Sequence, residues 1–406
     1  MTLPKPLRLL VAGCAWPPET FLARLVRGLV EAGIQVTVAS RVKPTPEWLA
    51  LGGFRWLPAP GWSGGAPGRV LRLGWMAGRA LIRAPRDVAR LAKNMRDHEA
   101  LSERVKAWSR LLSFTGGKWD AIYFPWNTAA ISYLPLFSLG APVVVSCRGS
   151  QVNVAPHHPH RGALRQGLKA TFRRAAAVHC VSEAIRQEAR RHGLDLEKAH
   201  VIRPAVDPEF FRPGPDAAGN GRRFRVVSTG SLSWTKGYEY ALSAIRRLRD
   251  AGVDVEYRVI GSGQDHQRLL YTIQDLGLSG HVHLMGRLSP EEVLSELRAA
   301  DVFLLSSVSE GISNAALEAM ACGLPIVTAD CGGMREAVTD GLEGFVVPAR
   351  EPAPMAAALA RLSADPPLRR RMGTAARDRI LKDFSLRDQI RRFVRLYEGV
   401  IQNCRA

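Results

Sequence analysis

The stretch from Val302 to Gly333, VFLLSSVSEGISNAALEAMACGLPIVTADCGG, constrains this chain more than any other. An apolar run gives way to a polar loop, a short alanine-rich segment, a small-residue turn and a second apolar run. This pattern predicts a buried strand, a helix and another buried strand. Glu310 falls in the loop ahead of the helix and Glu318 about one turn inside it, with seven residues between them. A helix N-terminus offers unpaired N–H groups and partial positive charge, which suits a phosphate. Carboxylates beside it accept hydrogen bonds from sugar hydroxyls.

Strand and helix alternate elsewhere too, so the expected fold is α/β, with parallel sheets covered by helices. The first half reads as strands over 7–13, 35–40, 141–147 and 177–181, with helices over 19–33 and after Ser182. The second half restarts with strands over 224–230, 255–261, 282–286 and 302–306. Helices are expected over 237–251, 264–276, 290–299, 352–382 and 386–402. The proline-rich segment 203–216 reads as a linker. A chain of 406 residues suits two domains. No charged side chain occurs between Asp120 and Arg148, but Pro125, Asn127, Pro135, Gly140 and Pro142 interrupt that run. It reads as strand, helix (128–138) and strand rather than a membrane span.

Embedded in its apolar and glycine neighbours, S-x-x-E-G followed by L-E-A-M-A-C-G-L-P-I-V resembles the E-x7-E signature of the family 4 retaining glycosyltransferases. The resemblance is strong over 224–346 and weaker over the first half. It implies the GT-B fold, two Rossmann-like doubly wound domains facing a cleft. An acceptor-side domain is expected at 1–205 and a nucleotide-sugar donor domain at 206–383. A final helix at 384–406, with Phe384, Phe393 and Tyr397, would return to the first domain. The resemblance assigns Glu310 to hydroxyls of the transferred sugar and Glu318 to the ribose. The backbone of Gly311, Ile312 and Ser313 would line the same pocket. The segment from Gly230 to Gly237 has glycine spacing wrong for a Walker loop or a dinucleotide fingerprint. It resembles the family's G-R-L-x-x-x-K-G loop, so Lys236 would hold the diphosphate. Ser231 stands where the family usually has Arg, which leaves Arg148, Arg287 and Arg335 as compensating candidates. Gly261 and Gly263 match a glycine loop under the nucleotide, and Leu288 would lie near the base.

On the acceptor side, the resemblance points to the Gly13 loop with Glu19 and Thr20, and to Arg148-Gly-Ser150. Glu19 and Thr20 also read as helix caps. The family commonly has His where Arg148 stands. An Arg cannot serve as a general base, so its role would be electrostatic. Retaining transfer in this family is pictured as front-face, with the leaving phosphate taking the acceptor proton. The catalytic set is then Glu310, Lys236 and Arg148, with no cofactor and no divalent metal required. The loop Ala155-Pro-His-His-Pro-His-Arg161 lacks the fixed spacing of a preformed metal site and reads as a polar acceptor-side loop.

The formal net charge is +19, and it is uneven: residues 1–215 carry 31 Lys and Arg against 14 Asp and Glu, residues 216–406 carry 25 against 23. This asymmetry points to an anionic partner for the first half. Residues 69–96 form a basic amphipathic segment. Val70, Leu73, Ala77, Leu81, Ala84, Val88, Leu91 and Met95 fall on one face, and Arg72, Arg79, Arg83, Arg86 and Arg90 on the other, with Pro85 as a break. Such a helix can lie on an anionic membrane or cover a sheet. No helix-turn-helix, RNA-recognition or zinc-finger pattern accompanies the charge, which argues against nucleic acid. The six cysteines form no C-x-x-C, and the N-terminal apolar run is short for a signal peptide. Both fit a cytoplasmic protein, and the basic segment allows a peripheral place on the inner face of a membrane. The expected function is transfer from a nucleotide sugar to a glycan or lipid-linked acceptor in bacterial surface or exopolysaccharide assembly. A GT-B nucleotide-sugar-binding protein of another activity, epimerase-like or catalytically silent, is the alternative.

Overall fold

The structure, a computed structural model, describes residues 6–59, 66–95, 101–214 and 223–405. Residues 215 and 216 of the expected linker and Arg96 of the basic segment lie outside these, as do the side chains of Arg69 and Val70. The chain divides into two compact units. One comprises residues 1–181, 185–202 and 390–406, the other 182–184 and 203–389.

The first unit is built on a seven-stranded parallel sheet. Its strands are β1 (Arg8–Val11), β2 (Gln35–Ser40), β3 (Phe54–Pro58), β4 (Ala121–Phe124), β5 (Val143–Cys147), β6 (Ala177–Cys180) and β7 (Ala199–Val201). They lie in the order β3-β2-β1-β4-β5-β6-β7. The central strands β4, β5 and β6 are buried along their whole length, which explains their unbroken apolar sequence. The last helix, Leu386–Arg405, gives its residues from Ile390 onward to this unit. There Phe393 packs against Tyr123 and His179 at ring distances of 5.9 and 4.7 Å, and Tyr397 lies 6.0 Å from Tyr123. Phe384 is buried in the core of the second unit instead.

The second unit carries a six-stranded parallel sheet in the order β10-β9-β8-β11-β12-β13. These strands are β8 (Phe224–Thr229), β9 (Val255–Ile260), β10 (Val282–Gly286), β11 (Val302–Leu305), β12 (Ile326–Ala329) and β13 (Gly344–Val347). The strand order reverses between β8 and β11. In open α/β sheets, ligands bind beyond the carboxyl ends of the strands at such a switch point.

Local chemistry moved several expected boundaries. The helix expected over 128–138 is a short α-helix, Asn127–Ile131, followed by a 3-10 segment, Leu134–Ser138, where Pro135 lacks the amide an α-helix needs. The single helix expected over 352–382 is two, Pro352–Ala364 and Pro366–Asp383, because Pro366-Pro367 restarts the chain. The basic segment likewise breaks at Ala84, ahead of Pro85, into Ala66–Arg83 and Pro85–Asn94. That break resets the helical register. Leu91 and Met95 are buried, but Leu81, expected on the same apolar row, is 54% exposed and Ala80 is buried instead.

Candidate functional site: the loops beyond β8 and β11

Both loops at the switch point of the second unit carry chemistry. The loop after β8 ends in a 3-10 turn, Trp234–Lys236, and Gly237 then takes a left-handed conformation to start the helix Tyr238–Asp250. A Cβ on Gly237 would come within 2.4 Å of the Ser306 carbonyl, so only glycine allows the two loops to meet. They are joined further: Val308 N–H donates to the Thr235 carbonyl at 2.9 Å, and Ser306 Oγ donates to the Lys236 carbonyl at 2.9 Å.

This clamp brings Lys236 and Glu310 together as an ion pair, Nζ donating to Oε1. Their side chains are 20% and 13% exposed, so the pair is largely shielded from water yet reachable from it. Ser307 Oγ donates to the same carboxylate oxygen at 2.8 Å. Tyr238, buried below, donates to the Gly230 carbonyl at 3.3 Å. Burial, with Tyr257 and the Glu310 charge adding, holds its phenol well above the ordinary range and so protonated. Cys331, buried nearby, has its thiol pushed up to about 12 by burial and by Glu310, with Lys236 acting oppositely.

The glycines form the floor. Gly230 N–H donates to the Ile260 carbonyl at 2.9 Å, and Leu232 N–H to the Ser262 carbonyl at 3.0 Å. Gly261 N–H reaches the Gly286 carbonyl at 2.7 Å, so the loops after β8, β9 and β10 are laced in sequence. A Cβ on Gly261 would stand 1.9 Å from the Gly230 carbonyl oxygen, and one on Gly263 2.2 Å from that of Leu232. Leu288 is half-buried against the core, and Ser231 is exposed, with its hydroxyl 3.3 Å from that of Ser233.

Beyond Glu310, Gly311, Ile312 and Ser313 are buried. Ser313 caps the helix Asn314–Ala321 through its hydroxyl, accepting from Ala316 N–H at 3.4 Å. Its own N–H turns to the Met334 sulfur at 3.4 Å, away from the role expected of it. Gly333 N–H donates to the Gly311 carbonyl at 2.6 Å. Glu318 is half-buried on that helix. Of the compensating cations, Arg335 is tied to Asp330 at 2.8 Å, and Arg287 is exposed.

In the first unit, Arg148 follows β5. Its guanidinium lies 3.8 Å from the centre of the Phe21 ring, and one amino group reaches Tyr123 Oη at 3.4 Å. Its Nε is buried with no hydrogen-bond partner among the described residues. Glu19 precedes the helix Thr20–Glu31 but makes no side-chain cap bond, so the capping role read from sequence is absent. The protein around its carboxyl raises its pKa although the residue is exposed, and the Arg148 charge offsets part of that rise. Thr20 and Ser150 are exposed. Gly13, at φ +73°, packs so closely that a Cβ would stand 2.8 Å from that of Ala129. Sequence reading missed Ser307, Tyr238 and Asn127 as site residues. Asn127, the first residue of the helix Asn127–Ile131, is buried just beyond β4, the strand beside β1 where this sheet's order reverses. The signal for Ser307 was its place between a buried strand and the acid.

Residues 216–379 match the family described as Glycosyl transferases group 1, and residues 18–205 match the Glycosyl transferase 4-like domain. The D-inositol 3-phosphate glycosyltransferase of Paenarthrobacter aurescens is 30% identical over 296 residues, covering 68% of this chain and 72% of that protein. The putative colanic acid biosynthesis glycosyltransferase of Salmonella typhimurium is 33% identical over 53% of this chain and 54% of its own length. Against several such relatives, the match spans about half of the curated protein. Anabaena HepE, solved in complex with UDP and glucose, has a TM-score of 0.72 at 18% identity, covering 97% of this chain and 100% of that one. That likeness shows the fold, GT-B.

Proposed function

Because this chain belongs to the group 1 glycosyl transferases, we propose that it transfers a sugar, with retention, from a nucleotide-diphosphate sugar to a glycan or lipid-linked acceptor in surface or exopolysaccharide assembly. The observation that carries this reading is the shielded Lys236–Glu310 pair at the switch point of the second sheet. In the proposed step, the bond from the anomeric carbon to the phosphate oxygen breaks. The acceptor oxygen bonds the same carbon on the same face, and its proton passes to the departing phosphate. Lys236 stabilises the charge growing on the diphosphate, and Glu310, oriented by Ser307 and the lysine, holds a sugar hydroxyl. Glu318 binds the ribose, and Gly230, Gly261 and Gly263 let the backbone approach the nucleotide. Arg148 supplies fixed positive charge on the acceptor side, where Gly13, Glu19, Thr20 and Ser150 complete the surface. The reaction needs no divalent metal, so activity survives chelation.

Support for the setting comes from the colanic acid relative, and for the donor class from the UDP and glucose of Anabaena HepE. The test has two parts. Nucleotide diphosphates and their sugar conjugates are screened by thermal shift, where a ligand that prefers the folded state raises the melting temperature. The product formed with the best donor is then analysed for anomeric configuration. An inverted product refutes retention. Epimerised sugar favours an epimerase-like activity, and binding without turnover favours the reading in which Ser231, in place of the usual Arg, marks a silent relative.

We also propose that the helix Ala66–Arg83 rests on an anionic membrane. Leu71, Trp75 and Ile82 follow one helical stripe at 75%, 64% and 85% exposure, beside the exposed Arg72, Arg79 and Arg83. Among the described residues, no helix is long and apolar enough to span a bilayer, so any attachment through this helix would be interfacial.

A further inference from the structure

The histidine-bearing loop of the first unit does not stand alone. His157 closes a 3-10 turn, Ala155–His157, which Arg165 fixes by donating to the Pro156 carbonyl at 3.0 Å. Facing it are Glu188, on the helix Glu183–Arg191, and His192, one turn further at that helix's end. The two imidazole rings are 5.6 Å apart. One carboxylate oxygen of Glu188, Oε1, lies 3.2 Å from His157 Nε2 and 3.4 Å from His192 Nε2. Arg191 holds the other oxygen at 2.8 Å and so fixes the orientation of the carboxylate.

Ion pairing does not use these groups fully. His192 Nε2 is buried, and although it lies 3.4 Å from the carboxylate it has no hydrogen-bond partner among the described residues. An unpartnered imidazole nitrogen carries either an idle proton or an idle lone pair, and both are costly in a buried place. A metal ion removes that cost. With bonds of about 2.0–2.1 Å, two ligand atoms in a tetrahedral shell stand about 3.3–3.4 Å apart. The two carboxylate-to-imidazole distances match that edge, and all three ligand atoms lie within 4.8 Å of one another. The geometry points to a divalent transition-metal site, zinc foremost, formed by His157, Glu188 and His192 with water completing the shell. Two imidazoles and a carboxylate suit that class of ion. His158 and His160, which the sequence grouped with His157, pair with each other, ring to ring at 5.7 Å, and stay out of the cluster.

The consequence is a clip. The chain runs from Arg148 through the short helix Ser150–Asn153 to His157. A bound ion would pin the far end of the segment whose near end carries Arg148. Its role is structural, separate from bond-making at the donor.

The untagged full chain, stripped with chelator and dialysed, is titrated with Zn²⁺ by calorimetry and with Co²⁺ followed by visible absorption. One ion per chain and the absorption of four-coordinate cobalt are expected. His157→Ala removes a ligand whose side chain is 62% exposed, so the fold is not at risk. It should weaken binding by at least about tenfold, as should His192→Gln. The control His158→Ala with His160→Ala should bind as the wild type does. No binding, binding unchanged in both His157→Ala and His192→Gln, or binding lost equally in the control would overturn the site.

Discussion

Replacing Lys236 with Ala removes the ammonium that the loop clamp holds beside Glu310. With less than a quarter of either side chain exposed, the pair sits where an effective dielectric near 20 applies, and two unit charges about 4 Å apart then interact by roughly 4 kcal/mol. In the proposed reaction, this stabilisation passes to the diphosphate as the sugar departs. Losing one preorganised contact of that kind costs about 10²–10³ in kcat, or roughly 2.7–4 kcal/mol. Lys236→Ala also strands Glu310 with Ser307. Glu310→Gln keeps a carbonyl for Ser307 while removing the charge, so the double variant should recover part of the loss. A coupling of about 1–3 kcal/mol is expected in the double-mutant cycle. Initial rates of transfer give the catalytic cycle, and urea midpoints on the same four proteins give the stability cycle. If Lys236→Ala stays within about threefold of wild type in kcat, the ammonium is not part of the step. If the two single losses simply add, the ion pair is not a working unit.

Gly261→Ala sets a methyl 1.9 Å from the Gly230 carbonyl oxygen and should destabilise the second unit by about 3 kcal/mol or more; an unchanged urea midpoint would show that the three laced loops are not tightly held. His179 is buried, with Ser146 Oγ at 2.8 Å from Nδ1 and the Ile202 carbonyl at 2.8 Å from Nε2, and burial, then the Arg148 charge, lowers its pKa from 6.5 to about 3. The unfolded chain therefore takes up that proton first, so stability is full above pH 6.5 and falls as pH drops toward 3, by about 1.4 kcal/mol per pH unit. Between pH 6.5 and about 5, wild type should lose roughly 2 kcal/mol more than His179→Gln, and equal losses would refute the assignment. Trp75→Asp with Ile82→Asp should abolish flotation with anionic vesicles at low salt, and co-flotation equal to wild type would exclude that stripe as the contact.

The second unit was the more legible of the two because its site follows local rules. Buried parallel strands read as apolar runs, and the loops between them must be polar or glycine-rich. Lys236 and Glu310 stand at fixed offsets from strand ends, so a motif of a few residues places each. What sequence could not show is that Gly237 lets one loop touch the other, because that contact joins residues about 70 positions apart. The same limit hid Ser307 as an orienting group and Tyr238 as a buried phenol. In the first unit, β3 and β7 were missed: they are edge strands, and β7 is only three residues long. The outward position of Leu81 was missed because helical periodicity was carried across Pro85, where the chain restarts.

The histidine loop shows how such a limit works for ligands. Read along the chain, His157, His158 and His160 are neighbours with irregular spacing, and the metal reading fails. In space, the useful partners are Glu188 and His192, an i, i+4 pair at the C-terminal end of a helix about thirty positions away. That pair has the regularity a preformed site needs, and one face of the helix presents both groups. It went unnoticed because one acid and one histidine on a short basic helix look like solvated surface. The turn that carries His157 converts the pair into three converging donors. Pairwise spacing along one element thus finds two of the ligands, while the third depends on how β5 and its following turn pack, which no window of sequence contains.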